Sequence, residues 1–296
     1  MPRYWSALIF VLASSLHVED PENPVFRSIM ADGLSRNGTT VRLPQPTLLD
    51  AQSPEQTKNA LKTIAGDDRA VQELLRDSIT APFILKTRDV KAGDAIIRSV
   101  DLYFVVYASL NEIDPDKILQ RPGAEPVEVG NMRFQTRRLT DQELAEKRFA
   151  PLAAVAGRTE WVTHQSGRLL DRIVVESTDR AVFTRTAESC LIAIRTDPAF
   201  DSDTKFPNRW ATLSRKGTVE TEGPAQPYGG SAAYLKITRL AGESGALFVE
   251  THMAFIEPND WFQGNPILRS KFSVIAQDQI RRLRREIQKN RRNPKP

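Results

Sequence analysis

The chain has 296 residues, of which 40% are hydrophobic and 26% charged. That balance excludes a disordered, collagen-like or multi-span helical membrane protein and leaves room for one large domain or two small ones. The formal charge of +4 does not describe a basic surface, because Arg281 to Pro296 holds eight basic residues against Glu286 alone, +7 in all, and the rest of the chain sums to −3.

At the start of the chain, Arg3 precedes an apolar run from Tyr4 to Leu16 that ends in small residues, Ala13 and Ser15. The run falls short of the roughly 20 residues that cross a hydrocarbon core. The pattern is that of an export signal over residues 1–15, cleaved before Leu16, which predicts a periplasmic or extracellular protein. No later stretch has the length and apolarity of a membrane span, so no transmembrane segment is expected after cleavage. The single cysteine, Cys190, cannot form an intramolecular bridge, and its apolar setting in SCLIAIR predicts a small buried hydrophobe. No cysteine stands at the end of the signal to accept a lipid.

The next elements are helical. Asn23-Pro24 can open a helix running to Leu34, with Phe26, Ile29, Met30 and Leu34 on one side and Gly33 weakening its end. Ser53-Pro54-Glu55-Gln56 combines a capping box with proline at the first helical position and leads into Ala60, Leu61 and Ile64 before Gly66 stops the helix. Asp67 then caps a helix over Arg69 to Asp77.

From Ala81 the period changes to alternation. Val100, Leu102, Phe104, Val106 and Ala108 share one face, and Asp101, Tyr103, Val105 and Tyr107 the other, so both faces of a central strand should touch other elements. Arg121 to Pro126 reads as a surface loop, Asn131 to Leu139 as a strand and Thr140-Asp141-Gln142-Glu143 as a helix start. Seven further strands are predicted at Trp161 to His164, Leu169 to Ser177, Ala181 to Thr186, Ser189 to Arg195, Trp210 to Ser214, Ala232 to Leu240 and Ala246 to Ile256. Their short connections imply antiparallel pairing. A long helix follows Pro266, with Leu268, Phe272, Ile275 or Ala276, Ile280, Leu283 and Ile287 as its apolar stripe. The expected fold is α+β: N-terminal helices, a largely antiparallel sheet and a long C-terminal amphipathic helix, in one domain over residues 24–290 that could divide near 150, with a basic tail over 291–296.

The strings SVDLYFVVYASL, FPNRW, YLKITRLAGESGALFVE, WFQGNPILRSK and QDQIRRLRRE resemble those of a group of uncharacterised exported proteins of planctomycete bacteria. That resemblance implies export and transfers no activity and no site. A sheet followed by a long C-terminal helix is also similar, at the level of fold alone, to helix-grip, START-like domains, which would imply a small apolar ligand.

Motifs that would carry a reaction are absent: there is no G-x-S-x-G, H-E-x-x-H, P-loop, strand-linked G-x-G-x-x-G or paired C-x-x-C. The histidines are His17, His164 and His252. The most structured polar constellation lies on the last predicted hairpin, where Leu235, Ile237, Val249, Thr251, Met253 and Phe255 mark an apolar face and Tyr234, Lys236, Thr238, Glu250 and His252 the opposite one. If Leu240 pairs with Ala246 across the turn Ala241 to Gly245, Lys236 falls opposite Glu250 and Tyr234 opposite His252. One reading is a solvated face carrying a surface ion pair. The other is a patch lining a pocket, where His252 exchanges a proton near neutral pH.

Asp197, Asp201 and Asp203 cluster in one loop and form a weaker calcium candidate, since the loop lacks the glycine and terminal glutamate of an EF-hand. No cofactor is expected. Arg281, Arg282, Arg284 and Arg285 offer a contact for an anionic surface. The leading expectation is a non-enzymatic exported binding protein. The alternatives are a hydrolase using His252 with Glu250 or Tyr234, and a cell-envelope structural protein attached by its basic C-terminus.

Overall fold

A computed structural model describes residues 23–112, 126–129, 131–147, 149, 157–262 and 265–292. The expected signal, its cleavage point, His17, the loop at 121–125 and the last residues of the basic tail lie outside the described residues. The fold is α+β and its main sheet is antiparallel throughout.

Helix α1 spans Pro24–Asp32 and is capped by Asn23, whose Oδ1 accepts the Phe26 N–H at 2.9 Å while its Nδ2 donates to the Val182 carbonyl at 3.0 Å. Such a cap contributes about 1 kcal/mol. The helix ends earlier than its apolar spacing predicts. Gly33 adopts φ +66°, and a Cβ there would sit 2.5 Å from the Val41 carbonyl oxygen. Leu34 therefore leaves the helix and opens a small hairpin, β1 (Leu34–Arg36) with β2 (Thr39–Val41). Its turn is Asn37-Gly38, both at positive φ, a strong hairpin signal in the sequence. Helix α2 (Pro54–Ala65) carries the expected capping box between Ser53 and Gln56, and α3 (Asp68–Leu74) is capped by Asp67.

The remaining strands are β3 (Ile84–Ala92), β4 (Ala95–Tyr107), β5 (Val127–Val129), β6 (Met132–Arg138), β7 (Arg158–Leu169), β8 (Ile173–Arg185), β9 (Ser189–Thr196), β10 (Arg209–Lys216), β11 (Val219–Glu222), β12 (Gln226–Pro227), β13 (Ser231–Arg239) and β14 (Ala246–Pro258). Helix α4 is Asp141–Glu146, α5 is Asn259–Phe262 and α6 is Ile267–Arg292. The strand order is β3-β4-β14-β13-β9-β8-β7-β6-β5, with β10 also pairing β8. The sheet forks along β8, whose first residues pair with β10 and whose later ones pair with β9.

Three of the predicted strands merge into two. β7 and β8 are long, and their hairpin turns at Leu170-Asp171, both at positive φ near 53–54°. A leucine in that conformation is uncommon, so the sequence around it reads as continuous strand.

The two sheet faces are covered by different parts of the chain. On one, Val25, Phe26 and Ile29 of α1 pack on Ile97, Val182, Ala193 and Ala254, and Leu61, Val71 and Leu74 of α2 and α3 pack on Tyr103, Val105 and Phe248. On the other, Ala276 and Ile280 of α6 pack on Phe104, Val106, Ile192, Ile237 and Val249, while Trp261, Phe262 and Leu268 cover Ile173 and Trp210. Each fully buried aliphatic or aromatic side chain of this kind contributes about 1.5–3 kcal/mol. The strand β4 is central, as its double alternation predicts. Cys190 is buried at 2% exposure, and burial pushes its thiol up to about 11.

The α6 stripe packs as expected at every position but one. Leu268, Ala276 and Ile280 are buried and Phe272, Ile275 and Ile287 partly buried against the same clusters, but Leu283 is 39% exposed. The adjacent Arg284 takes the inward place, 5% exposed, donating through Nε and Nη2 to the Val105 carbonyl at 3.1 and 3.0 Å and through Nη1 to the Ala81 carbonyl. Of the four arginines expected to meet an anionic surface, Arg284 is thus withdrawn into the protein. Burial drives its pKa below the ordinary arginine value.

Candidate functional site

The last hairpin has the register that its alternation predicts. Leu240 donates its N–H to the Ala246 carbonyl at 3.0 Å, Lys236 faces Glu250 and Tyr234 faces His252. Neither environment expected for the polar face is found. Glu250 and His252 are 0% exposed, Tyr234 1% and Lys236 2%. The face is neither wet nor open, because the irregular segment 42–53 between β2 and α2 lies over it as a strap.

The strap is held by side chains in place of strand pairing. The Tyr234 hydroxyl donates to the Pro44 carbonyl at 2.8 Å, and Lys236 Nζ donates to the Leu48 carbonyl at 2.8 Å and lies 3.7 Å from Asp50 Oδ1. The Thr47 N–H donates to both carboxylate oxygens of Glu250, at 3.1 and 2.9 Å. The sequence Pro44-Gln45-Pro46-Thr47 explains this arrangement. Proline cannot donate to a ladder, so the strap presents carbonyls to hydroxyl and ammonium donors and one well-placed N–H to a carboxylate.

His252 closes the network. Its Nδ1 lies 2.7 Å from Asp101 Oδ1 and its Nε2 lies 3.3 Å from Glu250 Oε2. The ring stacks on Tyr234 with centroids 4.7 Å apart and meets Tyr103 edge-on at 5.3 Å. Burial works against the imidazolium, but the hydrogen bonds and charges of Asp101 and Glu250 outweigh it, so the His252 pKa stands above the ordinary histidine value. Burial pushes Lys236 down to about 8 despite the opposing charge of Glu250, and pushes the Tyr234 phenol up. Lys236 and His252 thus lie among three carboxylates, Glu250, Asp101 and Asp50.

In chemical terms, a histidine between two carboxylates beside a depressed lysine is an acid–base set. Each of its side chains is nevertheless engaged by the strap or by another member. Two surface clefts, of about 530 and 730 Å³, are lined by none of Tyr234, Lys236, Glu250 or His252.

Asp101 belongs to this cluster and was not among the expected site residues. Its place on the inward face of β4 is legible from the alternation, but its meeting with His252 depends on β4 pairing with β14, which spacing alone does not reveal. The strap residues carry no periodic signal at all.

The three loop carboxylates are put to separate uses. Asp197 accepts the Ala199 N–H, Asp201 accepts from Asn208 Nδ2, and Asp203 accepts the Lys205 and Phe206 N–H groups and pairs with Lys147. Asn208 in turn bonds the Thr178 N–H at 2.8 Å, plugging the fork in the sheet. Among the described residues no group of three or more His, Cys, Asp or Glu side chains is placed to hold a metal ion. His164 is half-buried against Thr178 Oγ1 at 2.9 Å, with burial lowering its pKa.

No protein-family model and no curated protein sequence matches this chain. Among the described residues no helix is long and apolar enough to cross a membrane.

Proposed function

We propose that this chain is an exported, non-enzymatic binding protein, with the Tyr234–Lys236–Glu250–His252 cluster serving as a structural clamp. The observation that supports this most is the complete burial of His252 and Glu250 under a strap whose own backbone engages Tyr234, Lys236 and Glu250. A hydrolase would need the same atoms free to meet substrate and water. Attachment to an anionic surface through the C-terminal helix draws less support, since Arg284 is consumed by backbone carbonyls and Arg291 by Asp77. The sheet–α6 interface is filled by side chains, which turns attention to the surface clefts as the places where a ligand is held.

Native mass spectrometry of protein purified from its own host tests the binding reading, with a retained small molecule as the expected result. Turnover of any substrate that is lost on His252→Gln, in a variant that remains folded, would overturn it. N-terminal sequencing tests export: a mature start at Leu16 is expected, and an intact Met1 on membrane-embedded protein would reject that part.

A further inference from the structure

The cleft of about 730 Å³ lies between α1, β1, the end of β9 and the segment before β13, and three arginines line it: Arg36, Arg180 and Arg195. Arg180 and Arg195 stand directly opposite each other in the β8–β9 pairing. Like charges so placed destabilise a sheet, and both remain partly exposed, 43% and 30% at the side chain.

Each arginine is anchored on one side only. Arg195 Nη1 donates to Ser28 Oγ at 2.6 Å and Asp32 Oδ2 at 3.1 Å; Arg180 Nε donates to Glu160; Arg36 reaches Asp94 through Nε and Nη2 at 3.4 and 2.9 Å. The Arg180 guanidinium also lies over the Phe149 ring, 5.9 Å from its centroid. Among the described residues the Nε–Nη2 edge of Arg195, the paired terminal nitrogens of Arg180 and Nη1 of Arg36 donate no hydrogen bond. Those planar forks match the oxygens of a carboxylate or phosphate. Asp197 and Asp201 also line the cleft but are turned to the Ala199 N–H and Asn208. With Asp32, Glu160 and Asp94 counted, the surroundings carry no excess of positive charge, so recognition rests on the directed N–H forks, which suits a small anion better than a polyanion. Pro198, Pro227 and Tyr228 supply apolar wall. The volume falls in the range of about 300–1,000 Å³ that holds organic ligands and exceeds what an inorganic ion fills.

We propose that this cleft binds a small organic oxyanion, a carboxylate or phosphate ester, held by Arg36, Arg180 and Arg195 with its body against Pro198, Pro227 and Tyr228. The inference rests on the binding reading above and gives it a site and a ligand class. Isothermal titration of the full mature chain with citrate and with glucose 6-phosphate, with glucose as the neutral control, tests it.

At least one of the two anions should give a one-site isotherm, with glucose silent. Arg195→Gln and Arg36→Gln should each weaken it at least tenfold without lowering the melting temperature, because their partners Asp32 and Asp94 are 60% and 67% exposed. Arg180→Gln is the poorer probe, since it would strand Glu160, 3% exposed at the side chain. Arg215→Gln, on the exposed β10–β11 hairpin, should bind as the wild type does. Silence from both anions, undiminished affinity in Arg195→Gln and Arg36→Gln, or an equal loss in Arg215→Gln would overturn the proposal. A neutral molecule retained through purification alongside silent titrations would sink the oxyanion site and leave the binding reading standing.

Discussion

The two faces of the β13–β14 hairpin invert what hydropathy leads one to expect. The side that looks apolar is buried at Ile237 and Val249 under α6 and only half-buried at Leu235, Thr251, Met253 and Phe255, whereas the side bearing Tyr234, Lys236, Glu250 and His252 is sealed throughout. Alternation tells which residues share a face, and it says nothing about what lies over that face. On the polar side the cover is a strap whose prolines remove its capacity to pair as a strand, so ionic and hydroxyl side chains supply the hydrogen bonds that a neighbouring strand would have given.

The sharpest way to break that contrast is to remove the carboxylate at its centre. Glu250→Leu leaves the Lys236 ammonium and the His252 imidazolium buried without their shared partner and frees the Thr47 N–H, so it should lower the unfolding free energy by about 3–5 kcal/mol. Thr251→Val, one residue along and on the other face, should change it by about 0.5 kcal/mol or less. Denaturant midpoints of the two variants check the difference. Equal effects would show that the strap is not what distinguishes the faces.

The same inversion recurs on α6, where a cation lies inside. Arg284→Ala removes charge-assisted hydrogen bonds to the Val105 and Ala81 carbonyls, and should cost about 2–3 kcal/mol by leaving those acceptors unsatisfied. Thermal melts of Arg284→Ala beside Arg285→Ala, which is exposed, provide the check; the second should melt with the wild type.

The buried cluster also makes stability depend on pH. The folded pKa of His252 is raised above the ordinary value near 6.5. Its contribution is therefore fully present below about pH 6.5 and lost as pH rises through the folded pKa, at no more than about 1.4 kcal/mol per pH unit. Lys236 acts in the opposite sense: its folded pKa is lowered to about 8, so from there to about 10.4 the unfolded chain holds a proton that the folded one has released, and stability rises again. His164, whose pKa is lowered, acts below about 6.5 and stays out of this window. Urea midpoints across pH 6.5 to 9 should fall and then rise as Lys236 takes over. The rise should flatten above about 8.5, where the Cys190 thiol, pushed up to about 11, acts in the opposite sense. His252→Gln should remove the descending limb. A descending limb that survives in His252→Gln would assign the titration to another group.

Much of this was legible in the sequence and some was not, for identifiable reasons. Local chemistry read well: Asn23, Ser53 and Asp67 cap helices, and the Leu240–Ala246 turn set the hairpin register that brought Tyr234 to His252 and Lys236 to Glu250. What failed was tertiary. Asp101 reaches His252 only because β4, far away in the chain, pairs with β14, and residues 42–53 carry no period that would announce a cover. Leu170-Asp171 turns a hairpin without glycine, and the Asn37-Gly38 turn signal stands so close to the helix end at Gly33 that the apolar spacing of α1 runs into it.

The smallest effect belongs to Leu283, where apolar spacing and structure part company. By period it continues the stripe of Leu268, Ala276 and Ile280, yet it is 39% exposed, because β3 stops at Ile84, opposite Tyr103, and the carbonyls of Val105 and Ala81 face the helix at this turn and take Arg284 as their donor. A polar group at position 284 satisfies those acceptors, which rotates the preferred contact one residue along the helix. Leu283→Ala should therefore shift the unfolding free energy by no more than about 0.5 kcal/mol. Ile280→Ala, three residues earlier and 3% exposed, should cost about 2–5 kcal/mol. Equilibrium denaturation of the pair decides: a loss at Leu283 as large as at Ile280 would mean that the stripe, and not Arg284, anchors the last turns of α6.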